Sequence, residues 1–270
     1  MLSNVDIIKE LGENIAILPF CKDMIKGNNI NLRTSDLAWS IRTKTTAIAE
    51  DGSGKYIKLL PHDTTLIETF ESIAVTDVIA GTCHSRVPVT SMGTGHIGTV
   101  LNPNWIGRLL IAIHNHTDED KRLEIGKPFV AVVFQYLNTK STYPAENKPS
   151  RVDMLIKYGI KITDEEHEGV HQKQKYRSPI LMFEEMKKEE DYIEVKKEEE
   201  EAKKEEENKK VKNKSRNKRI LLISIFALLG FGLLLCIVLL DDKSLFSKIS
   251  IGALGGYIGL IGSFILNKIK

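Results

Sequence analysis

Between Cys83 and His116 the chain gathers Cys83, His84, Arg86, Ser91, His96, Asn102, His114 and His116, side chains of the kinds that grip phosphate, ligate metals or carry protons. No Asp or Glu occurs between Asp77 and Asp118. A proton acceptor in this stretch would therefore have to be a histidine. If Leu109 to His116 is a strand, Ala112, His114 and His116 share one face, about 7 Å apart in succession. His114 is then the candidate base, set against an ordinary strand histidine with a satisfied ring. As metal ligands, these histidines with Cys83, His84 and His96 match no known cage spacing, so no metal site is expected. Trp105 is expected to fill a core rather than stack on a base.

The elements that must position these residues are strands. Short apolar runs at Ile15 to Leu18, Leu37 to Arg42, Tyr56 to Leu60, Ile73 to Val78, Leu109 to His114 and Phe129 to Tyr136 are punctuated by Gly, Pro, Asn and Asp. That spacing predicts an antiparallel barrel or jelly roll, not a doubly wound sheet. Ahead of them Ser3 stands three positions before Asp6, and Ile7, Ile8 and Leu11 lead to Gly12, the pattern of a short capped helix. The β-rich domain is expected over 1–137. Residues 138–180, polar and carrying Pro144, Pro149 and Pro179, read as a linker or an extended arm.

The chain has 270 residues, 42% of them hydrophobic, and a formal net charge of +2. These averages conceal blocks. Residues 184–219 hold 13 acidic and 13 basic side chains, with Glu199 and Lys203, Glu200 and Lys204, and Glu205 and Lys209 at i,i+4 spacing, which predicts a charged helix over 181–219. It lacks a sustained apolar seam, so a lone helix is expected and not a coiled coil. Residues 220–240 and 249–266 are uncharged and predict two transmembrane helices. Basic residues precede the first run, and Lys268 and Lys270 follow the second. A two-pass membrane protein with both termini cytoplasmic, and the membrane as a partner, is the resulting expectation. Three distant cysteines and an N-terminus without an apolar core suggest neither a disulfide framework nor an export signal. The near-balanced charge gives no case for nucleic acid.

Several segments, taken in order, resemble the dCTP deaminase and trimeric dUTPase family. Met1-Leu-Ser-Asn-Val-Asp-Ile-Ile-Lys-Glu-Leu11 is similar to the deaminase N-terminal helix, and Ile30-Asn-Leu-Arg-Thr-Ser-Asp-Leu37 to a Ser-x-Asp-Leu strand. Ser85-Arg-Val-Pro-Val-Thr-Ser-Met-Gly93 falls at the Gly-Arg-Ser-Ser-Leu-Ala-Arg-x-Gly segment. Leu101-Asn-Pro-Asn-Trp-Ile-Gly107 lies at the Ile-Asp-Pro-Gly-Trp-x-Gly turn, and Ile125-Gly-Lys-Pro-Phe-Val-Ala-Val-Val-Phe134 at the closing strand. The resemblance covers about 1–137. It implies a mainly β, dUTPase-like distorted jelly roll, assembled as a homotrimer with deoxynucleoside triphosphate sites between subunits. The expected whole is that fold, then the charged helix and the two transmembrane helices. No cofactor is implied beyond Mg2+ that would arrive with a triphosphate.

The departures from the family are chemical. The deaminases place a glutamate on the strand after the Trp-x-Gly turn, where it handles the proton of the attacking water, and the matching residue is Ala112. The dUTPases place an aspartate in the turn, and the match is Asn102, whose amide takes no proton but can bond a sugar hydroxyl. By the same resemblance Arg86 and Ser91 would contact phosphate, with a structural ion pair as the alternative for Arg86. Lys173, Gln174 and Arg177 would belong to an arm over the triphosphate, with a solvated linker face as the alternative reading. A catalytically degenerate deoxynucleotide-binding sensor or regulator, held at the membrane, is therefore expected. Its rivals are an active, tethered dCTP deaminase with a displaced base and a trimeric scaffold that binds no nucleotide.

Overall fold

The computed structural model describes residues 1–96, 98–142, 144, 151–173 and 178–239, with 252–253, 255–256 and 259; the side chains of 96, 171–173, 233–234 and 236–239 are left out. In chain order the elements are α1 (Asn4–Glu10), β1 (Ile15–Leu18), a 3-10 turn (Lys22–Met24), β2 (Ile30–Ser40), β3 (Ile48–Asp51), β4 (Gly54–Leu59), β5 (Thr64–Val75) and β6 (Ile79–Ser85). There follow α2 (Val87–Thr90), β7 (Thr94–His96), β8 (Val100–Leu101), β9 (Ile106–Asn115), β10 (Lys121–Glu124) and β11 (Pro128–Tyr136). Four helices complete the described chain: α3 (Val152–Lys157), α4 (Asp164–Lys173), α5 (Pro179–Met186) and α6 (Glu190–Leu239).

The mainly β reading holds. One antiparallel sheet runs β7-β9-β5-β2-β11-β6-β8 with β1 added on β5, and β10-β4-β3 form a second. The ends of the long path, β7 and β8, are separated by residues 97–99 alone, so the sheet curls back on itself. Three irregularities interrupt the ladder, between Thr34 and Ala38 on β2, between Glu68 and Ser72 on β5 and between Pro128 and Val130 on β11. Such bulges twist a strand and re-aim its side chains.

The chain divides into two compact units, Met1–Glu200 and Glu201–Lys270. Within the first, alternation along β9 sends Leu109, Ile111 and Ile113 into the main core with Ile67, Ile73 and Phe134. The core draws on residues beyond β11 as well: Met182 and Met186 of α5 are fully buried in it, with Val195 of α6. The backbone N–H of Ile17 points at Met186 Sδ, 3.2 Å away. Lys196 Nζ donates to the carbonyls of Ile8 at 2.7 Å and Lys9 at 3.2 Å, at the C-terminal end of α1 where a cation is favoured. α1 carries the capping box read from Ser3 and Asp6: Ser3 Oγ accepts the Asp6 N–H at 3.2 Å and Asp6 Oδ2 accepts the Ser3 N–H at 3.0 Å.

The second unit contains the later turns of α6, where Lys210 bridges Glu206 at 2.7 Å at the expected i,i+4 spacing. The expectation of a two-pass membrane protein is corrected here, and with it the two transmembrane helices, the membrane partner and the cytoplasmic placing of both termini. Among the described residues no helix is long and apolar enough to cross a membrane. The apolar residues from Ile220 continue the same helix as the charged turns Glu190–Arg219. Of 249–266, five residues are described.

Candidate functional site

Strand β9 sets the site. Its alternation puts Leu110, Ala112 and His114 on the face opposite the main core, and the register pairs Leu110 with Glu68, Ala112 with Leu66 and His114 with Thr64 on β5. Trp39 of β2 pairs with Leu66 in turn, so Trp39, Leu66 and Ala112 form one row across three strands. This face is covered: Leu155 of α3, Ile160 of the connection that follows it and Val170 of α4 are buried against Leu37, Trp39 and Leu66, with Leu110, Ala112, Val152 and Ile162 packed around them. The stretch 138–180 thus contributes two short helices to the domain's second apolar cluster. Ala112 has apolar neighbours and no proton-accepting atom of its own.

A carboxylate is nevertheless near. Glu68 points to the same face as Ala112, one position away on the diagonal of the ladder, where neighbouring Cβ atoms lie about 7–8 Å apart or somewhat less. It is fully buried, accepts from Arg108 Nη1 at 2.9 Å, and lies 3.4 Å from Ser35 Oγ. Beside it, at the β5 bulge, Glu71 accepts the Arg33 backbone N–H at 2.8 Å and pairs with the Arg33 guanidinium. Both guanidinium groups lie over the Phe70 ring, Arg33 Cζ 4.7 Å and Arg108 Cζ 5.7 Å from its centroid. Burial raises the Glu71 carboxyl above its usual range against the opposing pull of Arg33. Sequence reasoning missed this four-charge cluster. Its one local signal was charge inside the apolar strand run Leu66 to Val75, which gives no hint of partners on β2 and β9.

The residues singled out in the sequence are only partly gathered. Arg86 is the N-cap of α2, half-buried, and Nη1 donates to the Pro128 carbonyl at 2.8 Å. Ser91 is exposed and its Oγ donates to the Pro88 carbonyl at 3.1 Å. Asn102 is exposed in the turn before β9, and its carbonyl accepts the Trp105 N–H at 3.3 Å. Trp105 packs at the core edge with Nε1 on the Gly107 carbonyl at 3.1 Å. His114 Nδ1 lies 3.0 Å from Thr64 Oγ1, and its ring centroid is 4.5 Å from that of His116. Cys83 is buried, its thiol pushed up to about 12 by burial, so it is no nucleophile near neutrality. With His84, Ser85 and Thr99 it borders an open cleft of about 430 Å3. Among the described residues no group of three or more His, Cys, Asp or Glu is placed to hold a metal. Lys173 is the last residue of α4, but its side chain, with Gln174 and Arg177, lies outside the described residues.

The curled antiparallel domain, with an Arg-bearing turn after β6 and an Asn-Pro-Asn-Trp turn before β9, has the mainly β architecture that the sequence resemblance implied. A family model described as dCTP deaminase-like matches residues 1–137, and the chain belongs to that family. The dCTP deaminase of Pyrococcus furiosus is 24% identical over 135 residues, 50% of this chain and 84% of that protein. That of Thermococcus gammatolerans is 25% identical over 135 residues, 50% of this chain and 83% of that protein. Among solved structures, the 2'-deoxycytidine 5'-triphosphate deaminase of Agrobacterium tumefaciens aligns with a TM-score of 0.40 at 11% identity, over 49% of this chain and 47% of that one. The dUTPase of Staphylococcus bacteriophage 80alpha, solved with dUPNHPP, aligns with a TM-score of 0.35 at 14% identity, over 50% of this chain and 89% of that one.

Proposed function

We propose that the chain is a deoxynucleotide-binding member of its family that performs neither deamination nor triphosphate hydrolysis and serves as a sensor or regulator. The observation that carries this reading is Ala112. The position where the deaminases would hold their base is a methyl group on a strand face packed with Leu66, Leu110 and Leu155. Attack of water on a cytosine ring needs an acceptor within hydrogen-bond reach of that water. The diagonal neighbour Glu68 is engaged by Arg108 instead. Asn102 likewise offers an amide where the dUTPases use a carboxylate. Arg86, Ser91 and Asn102 are assigned to nucleotide contact, and by resemblance Lys173, Gln174 and Arg177 to the triphosphate, within a homotrimer whose sites lie between subunits.

Incubation of the full chain with dCTP, dUTP and dTTP tests this. Heat of binding in calorimetry without release of ammonia or pyrophosphate is the expected result. Turnover at an enzymatic rate would sink it, and the absence of binding at millimolar ligand would leave a scaffold. A second reading, an active deaminase with a displaced base, is favoured by the position of Glu68. It requires turnover that Glu68→Gln abolishes, whereas loss in His114→Gln would point to the histidine.

A further inference from the structure

Beyond Ala112, the last β9 residue in the second apolar cluster, the strand leaves its cover: His114 is half-buried and His116 exposed. Along the chain these histidines match no cage spacing, but an extended backbone brings every second side chain to one side. We propose that His114 and His116 form a chelate for a borderline divalent transition metal of the Zn2+ and Ni2+ class, a site independent of the nucleotide-binding reading above. The ring spacing is the first support. Their centroids lie 4.5 Å apart with the planes inclined at 59°. Two imidazoles bound to one ion, each nitrogen at about 2.1 Å, have centroids about 4.5 Å apart for a right-angled pair and about 5 Å for a tetrahedral one. The pair is therefore spaced for a single ion.

The second support is orientation. His114 Nδ1 lies 3.0 Å from Thr64 Oγ1, on the residue paired with it across the β5–β9 ladder. With the Nδ1–H donated to that hydroxyl, Nε2 holds the lone pair that a metal needs, and an outer hydrogen bond of this kind fixes the tautomer and direction of ligating histidines. The third is room. Gly95 of β7 pairs with His114 from the other side, and a Cβ there would lie 2.7 Å from His116 Nε2. Gly95 has no left-handed φ, so the glycine supplies space for the His116 ring and not a turn. His62, two residues before Thr64, is engaged elsewhere, with Nε2 2.7 Å from Asp118 Oδ1.

Two protein ligands make an open chelate and not a closed cage, in keeping with the absence, among the described residues, of three or more His, Cys, Asp or Glu placed to hold a metal. The ion's other positions fall to water or to an oxygen of a small ligand. Imidazole suits Zn2+, Ni2+ and Cu2+, whereas Mg2+ takes carboxylate, phosphate and water oxygens. The histidine pair is thus chemically distinct from any Mg2+ that arrives with a triphosphate.

Calorimetric titration of the untagged full chain with ZnCl2 and NiCl2, in a buffer without nucleotide or phosphate, tests the site. The expected result is that both ions bind and are not displaced by MgCl2, and that His114→Gln and His116→Gln each weaken Zn2+ binding by about tenfold or more. Thr64→Val and Gly95→Ala keep both histidines and should weaken it by a similar factor, because one frees the His114 ring and the other displaces that of His116. His84→Gln, on β6, should leave the affinity unchanged. Urea midpoints near that of the parent chain show that each variant is folded. The chelate is overturned by an absence of Zn2+ and Ni2+ binding, by displacement with Mg2+, by unchanged affinity in either histidine variant, or by an equal loss in His84→Gln. Full affinity in both Thr64→Val and Gly95→Ala overturns it too, since it would leave two unrelated surface histidines. No outcome here bears on nucleotide binding, which succeeds or fails in its own titration.

Discussion

Glu68 and Arg108 form a buried ion pair at the margin of the candidate site, with side chains 0% and 8% exposed. Breaking such a pair leaves one charge in a medium that solvates it poorly. Arg108→Met should therefore cost about 3–5 kcal/mol in urea unfolding, and the double change with Glu68→Leu should recover much of that loss. Glu71 gives a pH signature. Its carboxyl is raised above the ordinary 4.5 by burial, so the native state holds the proton at pH values where the unfolded chain has lost it. This contribution to stability is fully present below the unfolded value and is lost as pH rises through the higher native value. Glu71→Gln should flatten that decline, measured as urea midpoints from about pH 4 to about pH 7. The strand placing Ala112 and His114 on one face was legible in period-two alternation. The diagonal from Ala112 to Glu68 was not, because it is set by the register of β9 on β5, forty-odd residues away in sequence.

Among the elements, local signals and long-range ones fared differently. The Ser3 and Asp6 box is complete within four residues, and α1 starts where those residues place it. The start of α5 carries a local mark, Ser178 at the N-cap followed by Pro179, but the burial of its two methionines does not, since it depends on packing with β1 and β5. Met186→Ala should cost about 2–5 kcal/mol by the cavity left against Ile17 and its neighbours, read by thermal or urea unfolding. Gly12, at φ +84°, lies where a Cβ would collide with the Tyr192 ring, so the start of α6 is seated against the turn after α1 by the absence of a side chain.

Across the first unit, the domain matched by the family ends at residue 137 whereas the packed core does not. A fragment of residues 1–137 should expose the surfaces left by Met182, Met186 and Val195, bind a hydrophobic dye and unfold without a sharp transition. A fragment of residues 1–200 should unfold cooperatively, with both compared by dye fluorescence and calorimetry. The segment at 138–180 shows why this boundary was hard to read. Its apolar residues, Val152, Leu155, Ile160, Ile162 and Val170, follow neither a strand nor a helix period for long, because two short helices and a turn share them.

Pattern along the chain was sufficient for the strand-rich class, the α1 cap, the charged helix and the absence of Asp and Glu between Asp77 and Asp118, since each depends on residue type and on neighbours a few positions away. The lineage too was readable, as motifs in order. What lay over Ala112, which carboxylate stood beside it, and how α5 and α6 joined the core were decided by tertiary structure alone. Those contacts pair residues from 40 to nearly 190 positions apart, and register, bulges and the search of apolar side chains for cover select them, quantities that no local window of sequence contains.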